Sequence, residues 1–120
     1  TIVGNTEHYD GTSWTTSNAM GEGRGTLGAA GTQTAAMAIA GNPDFNNPPA
    51  NTNICEIYDG TSWAATALMA NPTAGFRGTG GTTSSAYAAG GFDSSGNNTG
   101  RTEEFTGTTE TITSSTLTTS

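Results

Sequence analysis

Tyr9-Asp10-Gly11-Thr12-Ser13-Trp14 recurs residue for residue as Tyr58-Asp59-Gly60-Thr61-Ser62-Trp63. The copies lie 49 positions apart, from 9 to 58, and a degenerate third, Phe105-Thr106-Gly107-Thr108-Thr109-Glu110, follows 47 positions later, from 58 to 105. A repeat of this period marks an array of like supersecondary units, each burying an apolar face on its neighbour. The likeness extends outward from the hexapeptide. Glu7, Glu56 and Glu103 each stand two residues before the aromatic, and Arg24 and Arg77 follow the tryptophans at spacings of 10 and 14. The run from Gly31 to Gly41 matches the run from Gly81 to Gly91 at an offset of 50.

The punctuation predicts four strands per unit. A Gly-rich strand comes first (26–30 and 78–80). A second of small apolar residues ends at glycine (35–40 and 85–89), a third leads into the tyrosine (54–58), and a fourth carries the tryptophan (61–65). Asp-Gly between the last two is a hairpin signal, because both residues tolerate positive φ. With Asp10-Gly11 as a two-residue turn, Tyr9 would face Thr12, His8 would face Ser13 and Glu7 would face Trp14. Tyr9 and Trp14, like Tyr58 and Trp63, would then be diagonal neighbours on one face. Helix is not expected. The alanine-rich stretch at 35–40 is short, uncapped and set between glycines. Residues 111–120 read as a polar edge strand or an arm that pairs with another subunit.

Composition narrows the functional classes. The chain has 120 residues, no lysine, three arginines (Arg24, Arg77, Arg101) and a formal net charge of −7. Such a charge argues against nucleic acid and anionic membranes as partners, and no apolar run approaches the roughly 20 residues of a spanning helix. Only 32% of residues are hydrophobic. So thin a core predicts extra burial against other copies or within a longer parent chain. Cys55 is the single cysteine, and it reads as a small buried strand residue.

No constellation reads as catalytic. The recurring glutamates and arginines suit structural ion pairs or backbone contacts between strands, since an active site calls for unique residues. Gly23-Arg24-Gly25-Thr26-Leu27-Gly28 fits G-x-G-x-x-G, but no helix follows to hold a phosphate. His8, the one histidine, aligns with Ile57 and Glu104 and lacks the partners for a zinc site or a triad. Asp93-Ser94-Ser95-Gly96-Asn97-Asn98 has oxygen donors at loop spacing but not the acidic ladder of a calcium loop, and reads as a polar turn. No metal or cofactor is expected. Asn97 opens an N-x-T sequon, a possible glycosylation site. Trp14 and Trp63 read as packing residues rather than sugar-stacking ones, and the inserts at 44–51 and 92–98 as ligand-contacting loops.

Four strands, an arginine, a second strand ending in glycine (Gly41; Gly90-Gly91), then Tyr and Trp near the end of a unit of about 50 residues together resemble the kelch repeat. That resemblance implies a β-propeller built of four-stranded antiparallel blades. Thr6-Glu7-His8-Tyr9-Asp10-Gly11-Thr12-Ser13-Trp14, followed by Gly28-Ala29-Ala30-Gly31-Thr32-Gln33-Thr34-Ala35, is similar to the Gly/Thr/Ala-rich kelch-like repeats of tailed-bacteriophage structural proteins. The expectation is an all-β partial propeller of about two and a half repeats: a partial unit at 1–14, repeats at 24–63 and 77–112, and a polar tail at 113–120. Tyr9, Trp14, Tyr58, Trp63, Phe105, Glu7, Glu56, Glu103, Arg24 and Arg77 would be its structural anchors. Because propellers close with four or more blades, completion by other copies or a longer chain is expected. The function implied is structural and non-catalytic: a virion or extracellular component that self-associates into a ring or filament by β-sheet completion. The alternative is a propeller-type adhesin that binds glycans through its loops.

Overall fold

A computed structural model describes residues 2–44 and 51–106 and the backbone of 112–116. The described residues form ten strands and no helix: β1 (Thr6–Tyr9), β2 (Trp14–Ser17), β3 (Gly28–Thr32), β4 (Ala35–Gly41), β5 (Thr52–Tyr58), β6 (Trp63–Ala65), β7 (Gly78–Gly81), β8 (Ala86–Ala89), β9 (Arg101–Phe105) and β10 (Ile112–Thr116). They make three antiparallel sheets: a hairpin, β1-β2, then two four-stranded meanders ordered β3-β4-β5-β6 and β7-β8-β9-β10. The chain is all-β, and the four-strand unit expected from the repeat is present twice in full.

Alternation along the strands gives each sheet two faces. In the first meander Met37 pairs Ile57 and Ile39 pairs Cys55 on one face, while Ala36 pairs Tyr58 and Ala38 pairs Glu56 on the other. The Met37 face meets the second meander, where Ala86, Ala88 and Phe105 close a buried cluster with Met37, Ile39, Cys55 and Met69. Between the first strands the fit is close enough to demand glycine. A Cβ on Gly28 would lie 2.6 Å from Thr79 Cγ2, and Ala29 N–H donates to Thr79 Oγ1 at 3.3 Å. Small residues thus let two sheets approach where β3 meets β7.

The hairpin register differs from the expected one. Tyr9 pairs directly with Trp14, His8 with Thr15, Glu7 with Thr16 and Thr6 with Ser17. Tyr58 likewise pairs with Trp63. The loop is four residues, not two, because the aspartate side chain closes it. Asp10 Oδ1 accepts from Thr12 N (2.8 Å) and Ser13 N (2.9 Å), and Asp10 N donates to Ser13 O at 3.2 Å. Asp59 repeats the arrangement with Thr61 (2.8 Å) and Ser62 (2.9 Å). Such an Asx turn satisfies the N–H groups that a type I′ turn would leave to the strands. The rings share a face as expected, but as a direct cross-strand pair.

At the far end β10 pairs with β9, and Ile112 stands opposite Phe105. The place of the tryptophan therefore falls to Ile112, not to Glu110, which lies outside the described residues with the rest of 107–111. The tail boundary at 112/113 falls inside this strand, so part of the expected polar tail is the fourth strand of its own sheet. Residues 45–50, most of the first insert, also lie outside the described residues.

Candidate functional site

Glu56 and Glu103 do the same work in successive sheets. Glu56 takes Gly21 N–H at 2.7 Å and Glu22 N–H at 3.4 Å. Glu103 takes Ala70 N–H at 2.7 Å and Asn71 N–H at 3.3 Å. Each carboxylate, buried on the third strand, anchors the loop that leads into the first strand of its own sheet. A buried charge is tolerated only when so satisfied. Glu7, at the matching place in the hairpin, is exposed.

The arginines are not equivalent. Arg24 is buried and pairs with Glu56 at 2.8 Å; it also donates to Ala40 O at 3.1 Å and to Ile54 O. Arg77 is exposed. The backbone sets Arg24 against Thr73 instead, because each is followed by an isolated bridge, Gly25 to Asn42 and Ala74 to Phe92. The second meander holds Glu103 with N–H donors and no cation at that place.

The aromatic pairs are alike locally and unlike in surroundings. Tyr9 and Trp14 have ring centroids 5.1 Å apart at 37°, and Tyr58 and Trp63 5.0 Å apart at 36°. Tyr58 is 2% exposed and Phe105, at the third such place, 7%, whereas Tyr9 is 45% exposed and Trp14 66%. Tyr58 and Trp63 rest on the hairpin, on the face opposite Tyr9. Tyr58 OH hydrogen-bonds His8 Nε2 at 2.8 Å and Ser17 Oγ, the His8 ring meets the Tyr58 ring edge-on, and Trp63 Nε1–H donates to Thr6 Oγ1 at 3.0 Å. One sheet further on, the place of His8 is taken by Ile57 and that of Tyr58 by Phe105, in the apolar cluster described above.

Thr6, His8 and Ser17 thus hold the sheets together; sequence reading passed over Thr6 and Ser17 and set His8 aside for want of metal or triad partners. The available signal was the joint change from His8 and Tyr58 to Ile57 and Phe105, in which a hydroxyl and its polar partner disappear together. An open polar cleft of about 500 Å³ runs beside this contact, lined by His8, Thr15, Thr16, Ser17, Asn18, Gly60 and Thr61. The Ser17, Tyr58 and His8 chain is a tie between sheets whose hydroxyls and ring nitrogen satisfy one another.

The remaining candidates resolve individually. Cys55 is buried, and burial pushes its thiol pKa up, which keeps it protonated and unreactive. Asp93 Oδ1 accepts from Ser95 N at 2.9 Å and Asn97 N at 3.0 Å, so this carboxylate closes its own turn. Among the described residues no cluster of three metal-binding side chains forms. Asn97 is exposed on that turn. The G-x-G-x-x-G stretch leads into β3 rather than a helix.

What remains as a candidate site is the exposed Tyr9 and Trp14 face of the hairpin, built like the face that docks one sheet later but open to solvent. Comparison with known proteins assigns no family: no family model matches the sequence, and no curated protein matches it significantly.

Proposed function

We propose that this chain is a non-catalytic assembly module of kelch-like, propeller-type units that associates with further copies of itself, in a virion or extracellular structure. The observation that carries this reading is the docking contact. Each described sheet after the hairpin covers the one before it, through an aromatic on its third strand, and the hairpin presents that same aromatic pair uncovered. Exposed aromatic pairs are the kind of surface that marks interaction sites. Sheet completion, the mechanism expected from sequence, has its opening at β1-β2, which holds two strands where the others hold four.

The test is the size of the purified protein as a function of concentration, by sedimentation and negative-stain imaging. Rings or filaments support assembly. A monomer at every concentration removes the reading.

Trp14, at 66% exposure beside Tyr9, supports a second reading, an adhesin whose aromatic pair stacks on glycans. A glycan array separates the two: binding that disappears in Trp14→Ala favours it, and an array without signal discards it. Variants in the 92–98 turn test the expected loop contribution in the same experiment.

A further inference from the structure

The two ends of the stack carry opposite halves of one contact. Inside the molecule a docking face (Tyr58 with Trp63) sits on a receiving face (Thr6, His8, Ser17), and Phe105 then sits over the receiving face that includes Ile57. Strand register extends the series to both ends. Tyr9 and Trp14 form a docking face that no sheet covers among the described residues. On the last meander the positions of Thr6 and His8 are held by Thr102 and Glu104; Glu104 is exposed and pairs across the strands with Tyr87, which is 46% exposed.

The chemistry of these halves fits. Where the docking residue carries a hydroxyl (Tyr58), the receiving position is polar (His8). Where it does not (Phe105), the receiving position is apolar (Ile57). Tyr9 carries a hydroxyl, and Glu104 offers an acceptor. We propose that a second copy of this chain docks head to tail, with Tyr9 and Trp14 of one copy on the Glu104, Thr102 and Tyr87 face of the next. Tyr9 OH donates to the Glu104 carboxylate, and the Trp14 ring packs beside it. A head-to-tail contact of this kind is heterologous and builds rings or filaments rather than stopping at a dimer. Both copies carry a charge of −7, so added salt should promote the contact by screening their repulsion.

This inference rests on the assembly reading and names its interface. The test is a double-mutant cycle on the full chain, with association measured by sedimentation and fold checked by circular dichroism. Tyr9→Phe leaves Glu104 without its donor, and Glu104→Ile leaves the Tyr9 hydroxyl without its acceptor; each should weaken association about tenfold. The double variant rebuilds the internal Phe105 and Ile57 pairing and should return to within a few-fold of the unmodified chain. Trp14→Ala should abolish association with the fold intact. If the chain assembles but the single variants assemble equally well or better, or the double shows no recovery, the interface is wrong and self-association proceeds through another face. If the unmodified chain stays monomeric, the assembly reading falls together with the interface.

Discussion

Ala40 adopts φ of 48° and Gly41 of 109°; at the same two places in the next sheet Gly90 and Gly91 adopt 71° and 91°. Positive φ costs an L residue about 1–2 kcal/mol, and the chain accepts this at Ala40 because a register shift between Ile39 and Gly41 turns the end of β4 there. Gly41 admits no side chain: a Cβ would sit 2.7 Å from Gly25 O and 2.9 Å from Leu27 Cβ. Gly41→Ala should therefore cost about 3 kcal/mol, strain and overpacking together. Ala40→Gly should change stability by under about 1 kcal/mol, because relief of strain is offset by loss of a buried methyl worth about 0.8 kcal/mol. Urea melts of both variants check the pair; equal effects would show that φ does not govern this site. The double glycine was readable in sequence as a strand end, but the alanine at 40 hid that both positions are left-handed. The glutamates were readable because each performs one recurring task. The arginines misled because they were matched by residue type across unequal spacings of 10 and 14, whereas a spacing of 10 from Trp63 falls on Thr73, the equivalence that the bridges at Gly25 and Ala74 fix.

At the scale of elements the Asp-Gly hairpins were legible as hairpins but not in their register. Glycine at φ of 101° and 98° (Gly11, Gly60) is common to several turns; what selects the four-residue loop is the reach of the aspartate oxygen to two N–H groups, which a residue pattern does not display. Those bonds have an electrostatic consequence. The N–H groups of Ser62 and Thr61 lower the Asp59 pKa below its ordinary 3.8, as those of Ser13 and Thr12 do for Asp10. A carboxylate with a depressed folded-state pKa contributes stability that is fully present above its unfolded value. That contribution is lost as pH falls through the lower, folded value. Asp59→Asn keeps a side-chain oxygen but cannot titrate. Urea midpoints taken between about pH 6 and pH 2 should fall more steeply for the unmodified chain than for the variant. Parallel curves would mean that the turn carries no linked proton.

Across the whole molecule the sheets stack in one sense, each docking face covering the receiving face before it. Four-strand units and their order could be read from the repeat. What could not be read was that identical hexapeptides would end in different surroundings, because burial at Tyr58 and Trp63 comes from a neighbouring sheet and not from their own residues. This separates two tryptophans that sequence alone treats as one. Trp63 is half-buried against the hairpin, with its N–H on Thr6, and Trp63→Ala should cost about 3 kcal/mol, the lower end of the range for losing a buried aromatic. Trp14 is 66% exposed, and Trp14→Ala should cost under about 1 kcal/mol in the dissociated chain. The loss at Trp63 should also be local. Removing it frees the hairpin from β5 and β6 while the Phe105 cluster stays closed, so amide exchange should speed up across β1 and β2 and remain slow in β8 and β9. Melting curves measure the first difference and hydrogen exchange the second. Equal destabilisation by the two substitutions would mean that the hairpin does not lean on Trp63, and the sheet-by-sheet logic of docking would lose its internal example.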